Sequence, residues 1–268
     1  MKGKVGMQKA GDYSRDSIRR ELDRLGLSCV ELSFFEEITS TNTEMKKNYL
    51  AGDLSENPSI FVARRQSAGR GRLGKSFCSP DAGIYMSLLL PGDFGGAKLT
   101  AYVAVMTSEA IEEISGIRTN IKWVNDVYAS GRKLAGILCE GLVNPDSLRI
   151  EASVVGIGIN VLKTDFPKEI SDIAISLEEA SGEKYSRAAL IAHIAEKILG
   201  KMRELSEKEL IEKYKSKSNV IGKTVKVTSG YESFFAEAVD INEKAELVVK
   251  KHTGETVVLN SGEISIKL

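Results

Sequence analysis

Histidine and cysteine are scarce in this chain: two of the first, His193 and His252, and three of the second, Cys29, Cys78 and Cys139. The cysteines are widely spaced and form no Cys-x-x-Cys pair, which argues against a disulfide framework or a zinc site. Two histidines far apart in sequence make a histidine-rich metal centre a poor expectation. Net charge is also lacking, because 37 basic residues balance 37 acidic ones. Global electrostatics therefore give no reason to expect bulk nucleic-acid binding, and any cationic function must be local. No amino-terminal signal pattern and no apolar run near the length of a membrane span occurs, so the expectation is a soluble, cytoplasmic protein without a membrane partner. Internal repeats and low-complexity segments are absent as well. What remains is a chain of 268 residues, long enough for one large domain and a small one.

Local cation density is present in one stretch, Gln66-Ser67-Ala68-Gly69-Arg70-Gly71-Arg72-Leu73-Gly74-Lys75. It follows Ser59-Ile60-Phe61-Val62-Ala63, whose apolar run reads as a buried strand. Glycine lets a backbone approach a ligand closely, and arginine supplies permanently charged donor forks for phosphate or carboxylate. The stretch is expected to be floppy when empty and to order over an anion, as a lid on a phosphoryl-containing species. Gly/Arg loops also bind RNA backbones, and some are only basic surface turns. Gly69 to Ser76 formally matches a Walker loop, but Pro80 and Asp81-Ala82-Gly83 predict a turn and a strand where that motif needs a helix.

Along the chain, residues 1–12 read as a mobile arm. Ile18, Leu22 and Leu25 predict a helix over Ser14–Leu25 stopped by Gly26, and Leu32–Phe35 a strand. Thr41-x-x-Glu44 fits a capping box opening a helix that carries Met45 and Tyr49 on one face. Two readings are open, a plain helix start and hydroxyls gathered where free N–H groups can bind a polar head group. Gly83–Leu90 reads as a central strand and Leu99–Ile114 as a core helix. Ile121–Tyr128 and Arg132–Leu138 flank the Ser130-Gly131 turn as a hairpin, which sets Asp126 near Lys133. Two more strands, Ile150–Val155 and the glycine-interrupted Gly156–Asn160, are expected next. Ala188–Leu205 and Glu207–Lys217 read as helices, the second with a charged, solvated face, and His193 as a packing or surface residue. From Thr224 to Ile266 five short strands suit a small SH3-like barrel.

Taken together, Ser40-Thr41-Asn42, Gln66 with Gly69–Lys75, Lys122-Trp123-Val124-Asn125-Asp126, Arg132–Leu138 and Gly158-Ile159-Asn160 resemble the biotin protein ligase family. The short amino terminus is similar to the form without a DNA-binding domain. The resemblance implies an α+β fold: a mixed sheet flanked by helices, as in class II aminoacyl-tRNA synthetase-like cores, plus the terminal barrel. It implies an arm at 1–34, a catalytic domain at 35–218 and the barrel at 219–268. It further implies an ATP-dependent ligase that makes biotinyl-5'-AMP and passes biotin to a carrier-domain lysine, with Mg²⁺ held mainly by the ATP phosphates.

By the same resemblance, Arg70, Lys133 and Asp126 are catalytic, and Ser40, Thr41, Asn42, Gln66, Arg70, Gly71, Arg72, Lys133 and Gly136 bind biotin. Arg70, Arg72, Lys75, Phe77, Asn125, Lys133 and Asn160 contact ATP or the adenylate. Lys75 stands where the family usually has arginine, Phe77 where tryptophan is common and Val124 where proline is frequent. A biotin carboxyl-carrier domain is the implied partner, and pairing of two copies through the sheet edge is open. The competing expectations are a lipoate-type acyl ligase and a non-catalytic biotin-sensing regulator. The second would need a DNA-reading element, for which residues 1–35 are short and weakly basic. An RNA module is disfavoured by zero net charge and by the lack of aromatic residues among the arginines.

Overall fold

The computed structural model describes residues 13–54, 58–202, 204–229, 232–260 and 262–266. The expected arm at 1–12 lies outside them. Helix α1 (Arg15–Arg24) opens on a reciprocal capping box between Ser14 and Ser17, buries Ile18 and Leu22, and is followed by Gly26 at φ 77°. Strand β1 (Glu31–Ile38) leads into α2 (Thr41–Ala51), which crosses over to β2 (Ser59–Gln66), parallel to β1. β3 (Gly83–Pro91) turns back antiparallel to β2, and the twenty-residue α3 (Gly96–Ser115) follows between Gly95 and Gly116.

The expected single strand Ile121–Tyr128 is two. β4 (Asn120–Lys122) and β5 (Asp126–Ala129) pair across a turn at Trp123-Val124-Asn125. β6 (Arg132–Val143) completes the hairpin at Ser130-Gly131, where both residues take positive φ, as a tight two-residue turn between twisted strands requires. β7 (Ile150–Asn160) is one continuous strand, not the two expected, because its glycines keep regular pairing with β3 and β6. Short α4 (Leu177–Ser181), which the sequence did not suggest, precedes α5 (Arg187–Lys201), four residues shorter at its end than expected, and α6 (Glu207–Lys217).

These strands form a seven-stranded mixed sheet in the order β1-β2-β3-β7-β6-β5-β4. Its Ile60, Val62, Ile84, Leu88, Val155 and Ile157 side pack with α3 and α5 into the main core. The opposite side joins Phe61, Leu89 and Val154 to Met45 of α2 in a smaller core. β1 crosses the expected 34/35 boundary and α1 packs against α5, so the first helix belongs to the same body. The charges on α6 are not simply solvated. Lys213 reaches Glu109 at 2.5 Å and Lys217 reaches Glu112 at 2.7 Å, tying α6 to α3 while Leu210, Ile211 and Tyr214 are buried beneath.

The terminal segment builds β8 (Thr224–Ser229), β9 (Glu232–Ile241), β10 (Leu247–Lys251), β11 (Thr256–Leu259) and β12 (Glu263–Ile266). They form an antiparallel sheet in the order β11-β10-β9-β8-β12, matching the small terminal module expected. Its buried residues, Val225, Val227, Ala236, Ala238, Leu247 and Val249, are continuous with the main core. The indole N–H of buried Trp123 donates to the Ala245 carbonyl at 3.0 Å and pins the two sheets together. Among the described residues no helix is long and apolar enough to cross a membrane.

Candidate functional site

On the α2 side of the large sheet, side chains run out. Register places Tyr85, Gly158 and Gly136 in one row across β3, β7 and β6, and Ser87, Gly156 and Leu138 in the next. The glycines have a physical reason to be there. A Cβ at Gly158 would meet the Phe77 ring at 2.6 Å, and one at Gly156 would overlap the Asn42 amide. They form the floor of a cavity of about 190 Å³ whose walls come from α2, the Gly/Arg stretch, the β4–β5 turn and β12.

The first wall is the start of α2. Its cap is Ser40, whose hydroxyl accepts from Thr43 N–H at 3.5 Å, so the cap stands one residue before the expected Thr41. Thr41 is released for other work. Its backbone N–H donates to Gln66 Oε1 at 2.9 Å, and the Gln66 amide Nε2 donates to Ser79 Oγ at 3.0 Å. Asn42 donates through Nδ2 to Glu140 Oε2 at 2.8 Å and to the Leu138 carbonyl at 3.2 Å. Ser87 Oγ lies 2.7 Å from Thr41 Oγ1 and 2.6 Å from Asn42 Oδ1.

Sequence reasoning missed Ser87, Glu140 and Lys46. Lys46 Nζ sits 2.7 Å from Glu140 Oε1, and Arg70 Nη2 lies 3.7 Å from the same oxygen. Burial pushes the Glu140 carboxyl up, but hydrogen bonds from Lys46 and Asn42 and the nearby cations outweigh it and hold it below the usual glutamate range. The only sequence signal for Ser87 is a serine in a strand otherwise made of apolar and aromatic residues.

The Gly/Arg stretch forms a small hairpin over the cavity. Gly71 N–H donates to Lys75 O at 2.7 Å and Phe77 N–H to Gly69 O at 2.8 Å, with Leu73 exposed at its tip. No helix follows, as the rejected Walker reading required. The Phe77 ring comes down onto Gly158 and Gly136, edge-on to Tyr85 with centroids 6.3 Å apart. Arg72 Nη1 reaches Asn125 Oδ1 at 3.5 Å, and Asn125 Nδ2 donates to the Ile137 carbonyl at 2.9 Å. The two arginines thus point to different ends: Arg70 toward Glu140, Arg72 toward the β4–β5 turn.

At that second end the β5–β6 hairpin brings Lys133 Nζ to 2.7 Å from Asp126 Oδ1. The contact is an ion pair between the ammonium and the carboxylate. Nζ also lies 5.9 Å from the Phe77 ring centroid. Beside them the Tyr128 phenol is pushed up to about 12, by burial first and by the Asp126 charge second.

Every site residue expected from sequence except Asn160 lines this one cavity. Asn160 does not: its amide points instead to the Lys133 carbonyl at 3.5 Å, under the strand that carries the lysine. The arrangement offers a polar wall at one end, a cationic flap above, and a cation–carboxylate pair at the other. It is suited to an elongated ligand with a hydrogen-bonding head and an anionic end.

Comparison with known proteins narrows the choice. Residues 34–160 match the model of the biotin/lipoate A/B protein ligase family, and residues 220–267 that of the biotin protein ligase C-terminal domain. A solved biotin protein ligase from Aquifex aeolicus, in complex with biotin and ATP, superposes with a TM-score of 0.75 at 31% identity, covering 88% of this chain and 98% of that one. The chain belongs to the biotin protein ligase family.

Two curated relatives frame it as a biotin protein ligase family member. The bifunctional ligase/repressor BirA of Bacillus subtilis is 38% identical over 199 residues, 72% of this chain and 60% of the relative. The biotin–[acetyl-CoA-carboxylase] ligase of Mycobacterium tuberculosis is 27% identical over 259 residues, 92% of this chain and 93% of the relative. The chain thus spans three-fifths of the Bacillus protein and nearly all of the mycobacterial one. Within the family, the expected mixed sheet and small terminal sheet are both present.

Proposed function

We propose that this cleft activates biotin with ATP and hands it to a lysine of a carrier domain. The observation that carries the reading is that residues from four separate stretches, Ser40–Asn42, Gln66–Phe77, Lys122–Asp126 and Lys133–Leu138, face one cavity. Relatives named for biotin ligation, one of them solved with biotin and ATP bound, support the same choice.

In the first step a biotin carboxylate oxygen attacks the α-phosphorus of ATP. The bond to the β-phosphate oxygen breaks and pyrophosphate leaves. Both reactants are anionic, so their approach must be offset by fixed positive charge. Arg72 and Lys133 are suited to that end of the cleft, while Thr41, Asn42 and Gln66 hold the ureido head. Among the described residues no three histidine, cysteine, aspartate or glutamate side chains converge to hold a metal. A Mg²⁺ ion brought with ATP would take its oxygens mainly from the phosphates and screen their charge.

In the second step the carrier lysine, as a neutral amine, attacks the acyl carbon, and the bond to AMP breaks. A free lysine titrates near about 10.4, so the amine must lose a proton on arrival. Asp126, which lines the cavity beside Lys133, orients the incoming ammonium and takes that proton. The flap excludes water from the mixed anhydride meanwhile. The carrier is a biotin-accepting domain such as that of acetyl-CoA carboxylase, and the setting is the cytoplasm.

Incubation with biotin, ATP and Mg²⁺ should yield biotinyl-AMP by mass spectrometry. Formation of a lipoyl adenylate in preference, or of neither, would overturn the reading.

A further inference from the structure

The turn between β4 and β5 has three residues, and each is tethered to a different part of the molecule. Trp123 is tied to the terminal sheet through the Ala245 carbonyl. Asn125 clasps β6 twice: its carbonyl accepts from Ile137 N–H at 3.0 Å, and its Nδ2 donates to the Ile137 carbonyl at 2.9 Å. Between them Val124 is held from behind, where the Tyr214 hydroxyl of α6 donates to its carbonyl at 2.8 Å. Tyr214 and Val124 are both buried, and Tyr214 does not line the cavity. Burial pushes its phenol up, while Arg72 and Asp126 stand close enough to act on it in opposite directions. In front, the turn presents an acceptor to the flap. Because Asn125 Nδ2 donates to Ile137, its Oδ1 faces Arg72, whose Nη1 reaches it at 3.5 Å.

We propose that Tyr214 is a positioning residue: through the Val124 carbonyl it fixes the crown of this turn, so that Asn125 stands as the seat on which the Arg72 side of the flap closes. This rests on the reading of the cleft as an adenylate site, where a closed flap retains the intermediate. The helix that carries the phenol is itself held fast. Lys213 and Lys217, on either side of Tyr214, are paired with Glu109 and Glu112 of α3, and Asn219 N–H donates to the Ile121 carbonyl at 3.0 Å. Asp126 depends less on this support, since strand pairing sets it between Lys122 and Gly136. Loss of the phenol hydroxyl should therefore loosen the seat of the flap and spare the lysine–aspartate pair.

The test follows escape of labelled biotinyl-AMP from preloaded protein into an excess of unlabelled compound. It compares wild type, Tyr214→Phe, Asn125→Ala, the double variant of these two, and Tyr102→Phe. Tyr102 is the matched control, because its hydroxyl donates to the Ile198 carbonyl at 2.7 Å and joins α3 to α5 on the other side of the sheet. Both phenylalanine variants should lower the melting temperature alike. Only Tyr214→Phe should speed release, by about tenfold. The double variant should release no faster than Asn125→Ala alone. Transfer to a carrier domain from saturating added biotinyl-AMP should stay within about twofold of wild type. Trp123, the single tryptophan of the chain, reads the turn without any ligand. Acrylamide quenching of its fluorescence should rise in Tyr214→Phe and not in Tyr102→Phe. Equal release from both phenylalanine variants, multiplying effects in the double variant, or unchanged quenching would overturn the proposal. Should Tyr214→Phe not fold, Asn125→Ala carries the release readout, and unchanged release there removes the seat and with it the role of Tyr214. Wild-type protein that never retains biotinyl-AMP would instead overturn the reading of the cleft, and this assignment with it.

Discussion

Replacing Gly158 by alanine separates what the cavity floor does for the reaction from what it does for stability. The added Cβ would lie 2.6, 2.7 and 3.1 Å from three carbons of the Phe77 ring. Carbon atoms settle at about 3.5–4.0 Å, so the ring must withdraw by roughly 1 Å. The Phe77 backbone cannot follow freely, because its N–H is bonded to Gly69 O at 2.8 Å inside the flap. The ring must turn instead, between the Tyr85 ring 6.3 Å and the Lys133 ammonium 5.9 Å from its centroid. Overpacking of this kind costs about 1–3 kcal/mol, and replacing a strand glycine returns about 0.5–1 kcal/mol of backbone entropy. The net destabilisation is then roughly 0–2.5 kcal/mol, or a melting temperature lowered by no more than about 10 °C. Activity should suffer more, since about 1 Å of misplacement at a reacting centre can cost on the order of 100-fold. Gly136→Ala is the internal control. Its nearest contacts, 3.2 Å to Phe77 and 3.3 Å to Lys133, need only a few tenths of an ångström, so its loss should stay below about tenfold. Adenylate formation and thermal melting measured on both variants decide the matter. Equal losses, or a fully active Gly158→Ala, would refute the claim that Phe77 rests functionally on this floor.

Lys133→Ala should slow pyrophosphate release by about 100- to 1,000-fold, read in a single-turnover adenylation assay; an unaltered rate would remove it from the first step. Asp126→Asn should spare adenylation and slow transfer from preformed biotinyl-AMP to a carrier domain by about 100-fold or more; unaffected transfer would exclude it as the proton acceptor. Trp123→Phe strands the buried Ala245 carbonyl, so denaturant titration should show a loss of about 1–3 kcal/mol. Glu112 is held below the usual glutamate range: burial raises it, but Lys217 and Thr119 overcome that. Its contribution is therefore present above about pH 4.3 and is lost as the pH falls through its lowered folded value. Lys217→Met should melt below wild type at pH 7, and the gap should close in acid; a gap independent of pH would contradict the assignment.

The pieces of the site that were legible in the sequence are those carried on contiguous stretches. Gly69–Lys75 reads as a cationic flap, and Ser130-Gly131 fixes a hairpin that brings Lys133 to Asp126 whatever else the chain does. Ser87, Glu140 and Lys46 could not be found that way. Their partners are set by how β3, β7 and β6 align, and residues 42, 87 and 140 meet only once that register exists. The glycines of β7 illustrate the ambiguity. Read locally, Gly156 and Gly158 break a strand; in the sheet they keep its pairing and leave room for Asn42 and Phe77. The spacing of Thr41 to Glu44 fits a helix cap, but Ser40 has the extended cap geometry and Thr41 is drawn off by Gln66. Asn160 shared a motif with the site residues, and its side chain turned out to steady the Lys133 backbone from outside the cavity.

The small terminal sheet contributes Gly262 and Ile264 to the cavity lining, about 220 residues along the chain from Ser40 on the first wall. A polypeptide emerging from the ribosome therefore carries the flap and the lysine–aspartate pair well before it owns the last piece of enclosure. Until residues 262–264 have been synthesised and β12 has zipped onto β8, any reactive anhydride formed inside would sit in a vessel with one side open to water.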